Sequence, residues 1–127
     1  MRLISMCKSK IHRSTVTDAN VDYVGSIAID QDLMDLSGLL PNEQVHVWNL
    51  NNGARLETYA IPAERGSGVI CLNGAAAHHV KIGDRIIIAA FCWTDEPEEP
   101  RMVLVDDRNA FVSYLQTEPP LTALEVS

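Results

Sequence analysis

Asn51-Asn52-Gly53 separates two stretches that alternate in character. Val45, Val47 and Trp48 precede it, and Leu56, Tyr59 and Ile61 follow. Asn-Gly supplies the positive φ angles of a tight turn, so residues 45–61 predict a β-hairpin. The rest of the chain reads in the same idiom. Residues 5–16 contain no Gly or Pro and end in β-branched side chains, so they predict a strand. Residues 27–29, 69–72 and 85–93 predict three more, the last being the most apolar. Glu64-Arg65-Gly66-Ser67-Gly68 is a turn, Asn73-Gly74 breaks a strand, and residues 75–79 suit one helical turn. Asp30 or Asp32 can cap a short helix through Leu33, Met34 and Leu36, which Gly38 stops. Many short strands with little helix predict a mainly β fold, a small closed barrel.

Length and composition bound that barrel. The chain has 127 residues, enough for one domain spanning 1–127 with one core. Hydrophobic residues make up 46% but aromatics only 6%, so Val, Ile, Leu and Ala must fill most of the interior. No apolar run reaches the ~20 residues of a membrane span, and no apolar block near Met1 suits a signal peptide. Cys7, Cys71 and Cys92 are odd in number and far apart, which suits reduced thiols and a cytoplasmic protein. Cys71, in an apolar run, is expected in the core. The net charge of -7 sits mainly after Thr94, where eight acids face two bases. No basic face is visible, which argues against nucleic-acid binding. His78 and His79 are adjacent and no Cys-x-x-Cys or His-x-x-x-His spacing occurs, so no metal site is expected. Past Trp93 the pattern weakens: residues 102–105 and 110–115 suit a strand or a helix, and the tail from Thr117 is expected to be loosely held.

A Gly-Ser pair alone is an ordinary turn. Gly25-Ser26, however, lies within Tyr23-Val24-Gly25-Ser26-Ile27-Ala28-Ile29-Asp30. Lys10-Ile11-His12-Arg13, Trp48-Asn49, Asn52-Gly53, Thr58-Tyr59-Ala60-Ile61, Ala63-Glu64-Arg65-Gly66-Ser67, Asn73-Gly74-Ala75-Ala76-Ala77-His78 and Gly83-Asp84 accompany it in order. This set resembles the bacterial aspartate 1-decarboxylases, from about Lys10 to Phe91. Beyond Phe91 the resemblance fades. Val24 stands where some members carry Glu, which leaves the Tyr-x-Gly-Ser frame intact but could alter the rate of processing.

The resemblance implies a six-stranded double-psi β-barrel with short helices and a variable C-terminal tail. It implies a homotetramer with active sites between subunits, and a maturation helper protein in some bacteria. It also implies a chain that cuts itself into 1–25 and 26–127. The Ser26 hydroxyl attacks the Gly25 carbonyl, converting amide to ester. Glycine, lacking a Cβ, would admit close attack and a strained backbone. β-Elimination frees Gly25 as a carboxylate, and loss of ammonia from position 26 leaves a pyruvoyl group. Its ketone condenses with the substrate amine and serves as an electron sink during decarboxylation, as pyridoxal phosphate does elsewhere. The implied reaction is L-aspartate to β-alanine and CO2, feeding pantothenate synthesis. By the same resemblance Thr58 assists the cleavage as an oxyanion donor. Tyr59 protonates the carbanion. Arg55 and Lys10 bind carboxylates, and Asn73, Gly74 and Ala75 line the pyruvoyl site. His12, Trp48 and Tyr23 stand nearby.

Without the resemblance these residues read blandly. Lys10 and Arg55 would be solvated, Tyr59 a half-buried hairpin aromatic, Thr58 strand filler, His12 a surface or satisfied histidine and Asn73-Gly74 a plain turn. Two rival functions remain at this level. One is a pyruvoyl enzyme for another acidic amino acid such as glutamate. The other is a barrel that only binds.

Overall fold

A computed structural model describes residues 1–116 of the chain. The expectation for the tail from Thr117 lies outside the described residues. The chain runs β1 (Ile4–Thr15), β2 (Asp18–Asn20), β3 (Ser26–Asp30), α1 (Gln31–Ser37), β4 (Gln44–Asn49) and β5 (Arg55–Ala63). It continues with β6 (Ile70–Asn73), a 3₁₀ helix (Gly74–His79), β7 (Arg85–Thr94), β8 (Arg101–Val105) and β9 (Phe111–Leu115).

Hydrogen bonding joins the strands in the order β2-β6-β3-β5-β4-β7-β1-β8-β9. A flat sheet would put β2 about 29 Å from β1, six spacings of roughly 4.8 Å. Yet only Val16 and Thr17 link the end of β1 to the start of β2, and three Cα steps reach about 11 Å. The sheet must therefore curl on itself. Val16 and Thr17 pin that seam, Val16 donating to the Asp84 carbonyl at 2.9 Å and Thr17 to the Ile70 carbonyl at 2.9 Å. With β1 and β2 taken as one bent strand, the barrel has six strands, as expected, and β8 and β9 extend its wall. Register shifts in β1 between Cys7 and Ser9 and between Ile11 and Ser14 supply part of the bending.

The interior is aliphatic. Ile11, Ile27, Ile29, Val45, Val47, Ile70, Leu72, Ile86 and Ile88 are each fully buried. Alternation selects them: Val45, Val47 and Asn49 face inward from β4, while His46 and Trp48 face out. Cys71 sits between the two core residues Ile70 and Leu72, so it faces the other way and is half-buried. That corrects its expected place in the core. Asp30 is the cap of α1, accepting from the Asp32 amide at 2.9 Å, and Gly38 ends the helix at φ 78°. The predicted hairpin forms, with a longer connection than a tight Asn-Gly turn. Gly53, at φ 76°, donates to the Asn49 carbonyl at 2.9 Å across a loop of residues 50–54. Residues 102–105 fall in β8, and of residues 110–115 all but Ala110 fall in β9. β2 was not anticipated: three polar or small residues give no period to read.

Candidate active site

Ser26 opens β3, with 1% of its surface exposed and a backbone φ of 152°. That torsion is outside the range ordinarily open to a residue with a Cβ, and such strain costs about 1–3 kcal/mol. The neighbours hold it there. Ser26 pairs with Asn73 across the antiparallel β3–β6 ladder. The Asn73 side-chain amide donates to Ser26 Oγ at 3.1 Å, and both groups are buried. Immediately after Asn73 the chain turns at Gly74, φ 65°. A Cβ on Gly74 would lie 2.8 Å from Gly25 Cα and 3.2 Å from the Tyr23 carbonyl oxygen. The glycine therefore permits β6 to press on the segment that enters β3. Gly25 itself has open space where a Cβ would go, and its φ is not positive. Between the strands, the close approach is made at Gly74.

β5 runs parallel to β3 on its other side, with Ile27 opposite Ala60. This brings Thr58 to the same opening as Gly25. A cavity of about 220 Å³ is lined by Gly25, Thr58, Asn73 and Ala75, with Leu56, Glu57, Ala76 and His79 completing it. The floor is fastened to the hairpin. Asn49 Nδ2 and Asn52 Nδ2 both donate to the His79 carbonyl, at 3.1 and 3.0 Å. So the 3₁₀ helix carrying Ala75 and the strand carrying Thr58 are tied at a common end.

A second depression, about 500 Å³, adjoins the first and shares Leu56 and Glu57 with it. Here Arg55 and Trp48 are cross-strand partners, and the guanidinium carbon lies 4.6 Å from the Trp48 ring centroid. The stacking orients an otherwise exposed cation. Tyr59 follows Thr58 along β5, so it faces the opposite side and is 36% exposed. Lys10 and His12 stand on β1, between β7 and β8, with 8% and 6% exposure. The bland reading of Lys10 as a solvated lysine does not survive that burial. The structure thus gathers Gly25, Ser26, Thr58, Asn73, Gly74 and Ala75 and sets Arg55 and Trp48 next to them; Tyr59 shares the outward face of β5 with Arg55, and Lys10 is in register with Ala89 and through it with His46, but Lys10, His12 and Tyr59 line neither depression.

A family model described as Aspartate decarboxylase matches residues 2–112. The chain belongs to the aspartate decarboxylase family. Its likeness to individual members is close. It is 56% identical over 119 residues to the aspartate 1-decarboxylase of Carboxydothermus hydrogenoformans, covering 91% of this chain and 94% of that one. It is 57% identical over 119 residues to that of Caldicellulosiruptor bescii, covering 91% and 93%. It is 52% identical over 124 residues to that of Bacillus subtilis, covering 94% and 98%. The family match continues past Phe91, where the motifs alone fade, and takes in β8.

Sequence reading missed several members of this site. Glu57, Leu56, Ala76 and His79 line the cavity but belong to no quoted role. Cys71 was assigned to packing, although its thiol reaches the Asn73 side-chain oxygen at 3.3 Å. The spacing of Cys71 and Asn73, two apart on a strand, was the available signal. Among the described residues no helix is long and apolar enough to cross a membrane, and no cluster of His, Cys, Asp and Glu could hold a metal.

Proposed function

We propose that this chain cuts itself between Gly25 and Ser26 and then decarboxylates L-aspartate to β-alanine and CO2, a step that supplies pantothenate synthesis. The observation that carries the reading is the φ of 152° at Ser26, held beside a Thr58-lined opening. A φ angle is rotation about the bond from nitrogen to Cα. Loss of the Ser26 nitrogen removes that torsion altogether, so the strain favours the reaction. Ser26 Oγ adds to the Gly25 carbonyl, the Thr58 hydroxyl stabilises the oxyanion, and the Gly25–Ser26 amide becomes an ester. Elimination of the Gly25 carboxylate leaves a double bond at position 26, and water replaces its nitrogen as ammonia. A pyruvoyl group so formed supplies the electron sink that decarboxylation requires. The residues present fit it: a buried position, an Asn73 amide aimed at it and a glycine that lets the backbone close in.

Two pieces of one domain, 1–25 and 26–127, would remain together, because β1 is hydrogen-bonded to both β7 and β8. Arg55, stacked on Trp48, binds a substrate carboxylate. Lys10 and His12 supply further polar contacts, and Tyr59 returns the proton to carbon. Because Lys10, His12 and Tyr59 line neither depression, the reading includes a homotetramer in which neighbouring copies complete each other's sites. Exposed Ile4, Phe91 and Trp93 on β1 and β7 are consistent with such association. A helper protein for maturation is compatible with this scheme and not required by its chemistry. The test is an assay of the processed protein with L-aspartate and L-glutamate. Equal amounts of β-alanine and CO2 from aspartate, with little from glutamate, are expected. Cleaved protein that turns over neither would overturn the enzymatic reading.

A further inference from the structure

We infer that Cys71 is a positioning residue for self-cleavage: its thiol fixes the Asn73 carboxamide so that the amide nitrogen holds Ser26 Oγ. The inference rests on the self-cleavage proposed above and goes beyond it. A carboxamide has two faces, and rotation by half a turn exchanges its oxygen and nitrogen. If the oxygen faced Ser26, Asn73 could only accept, and the hydroxyl proton would be drawn to it and away from the reaction. With the nitrogen facing Ser26, the serine oxygen accepts from Asn73 at 3.1 Å and its own proton remains free to leave.

What selects the second orientation is on the other side of Asn73. Cys71 Sγ lies 3.3 Å from Asn73 Oδ1, well inside its 4.0 Å separation from the Leu72 carbonyl. A thiol can donate to an oxygen there but offers little to an N–H group. The strand makes the pairing automatic, since residues two apart in β6 share a face. Burial, and then the negative charge of Asp18, push the Cys71 thiol above its ordinary pKa. Asp18 sits opposite Cys71 in the β2–β6 ladder. The group therefore stays protonated, the only form that donates. Cys71 touches neither the scissile bond nor the cavity, so its influence passes through Asn73.

The experiment follows cleavage of freshly made full-length chain by intact mass, for the native protein, Cys71→Ala and Cys71→Ser, with a thermal melt of each. The alanine variant lacks the donor and should cleave roughly three- to tenfold more slowly, the range of one modest hydrogen bond. The serine variant keeps a donor and should restore most of the native rate. Cys71→Ala cleaving at the native rate overturns the inference while leaving self-cleavage standing. Equal slowing of both variants with lowered melting temperatures overturns it as well, since packing would then be the cause. A native chain that never cleaves overturns self-cleavage and this inference together.

Discussion

The two ends of β3 carry its two buried polar side chains, and they are treated in opposite ways. At the far end, Asp30 accepts from three backbone amides: Asp32 at 2.9 Å, Gly66 at 3.1 Å and Gly68 at 2.9 Å. The charge is fully met, and one carboxylate joins a helix start to a turn. Nearby, the Asn109 side chain ties Thr15 and Gly68 together in the same fashion. At the near end, Ser26 has one side-chain donor, an unfavourable torsion and a glycine-lined neighbour pressed against the preceding residue. A cavity of about 490 Å³ lies at the Asp30 end, comparable to the 500 Å³ depression that adjoins the Ser26 end. Cavity size therefore does not distinguish the two ends; the backbone torsion and the choice of neighbours do. Under the proposed self-cleavage, one end of the strand is built to stay as it is, and the other to change.

That contrast can be broken by substitutions on either side. Thr58→Val preserves shape and removes a hydroxyl at the Ser26 end. Self-cleavage should fall by about 10²–10³-fold, the usual effect of a lost oxyanion donor, with the melting temperature unchanged. Gel analysis of cleavage over time reads it, and native cleavage would remove Thr58 from the account. Gly74→Ala inserts a methyl group 2.8 Å from Gly25 Cα. Because a displacement near 1 Å can cost about 10²-fold, cleavage should slow by that order while the barrel still folds. At the Asp30 end the readout reverses. Asp30→Ala leaves buried amides without their acceptor and should destabilise the protein by about 1–3 kcal/mol in denaturant unfolding, while folded molecules still cleave. A variant of Asp30 that folds normally but cannot cleave would contradict the division of labour along β3.

The smallest effect is expected on the surface of α1. Arg65 donates to Asp35 at 2.6 Å and to Asp32 at 2.9 Å. Its hydrogen bond, followed by that from Gln31, holds the exposed Asp35 carboxyl below its usual value. A lowered carboxyl pKa contributes stability above the ordinary carboxylate range and loses it as pH falls through the lowered value. Arg65→Ala should therefore lower the melting temperature slightly at pH 7 and by less near pH 3. An equal shift at both pH values would point to packing by the arginine stem.

The same contrast explains what could be read from the chain. Strands with an apolar period, such as β4 and β7, and a helix with Asp30 before it and Gly38 after it, announce themselves through local rules. Gly25-Ser26 became legible only through its ordered surroundings, because a two-residue motif carries no chemistry by itself. The torsion at Ser26 has no local signature; it is imposed by β6 on one side and β5 on the other. Nor does the sequence distinguish Gly25, which has open space where a Cβ would stand, from Gly74, which does not. Lys10 reads as solvated because its burial depends on β7 and β8, strands that arrive some eighty residues later. β8 reads ambiguously because consecutive residues Met102 and Val103 are both buried, which hides the period.

The most direct test of the central claim is the intact mass of the purified chain beside Ser26→Ala. The native protein should give two masses. One is residues 1–25 ending in a free carboxylate. The other is residues 26–127, lighter by one ammonia than the fragment simple hydrolysis would give, and blocked to Edman sequencing. The alanine variant, which has no hydroxyl to attack Gly25, should stay whole. A native chain that remains uncut, or a Ser26→Ala chain that still parts at this bond, would contradict it.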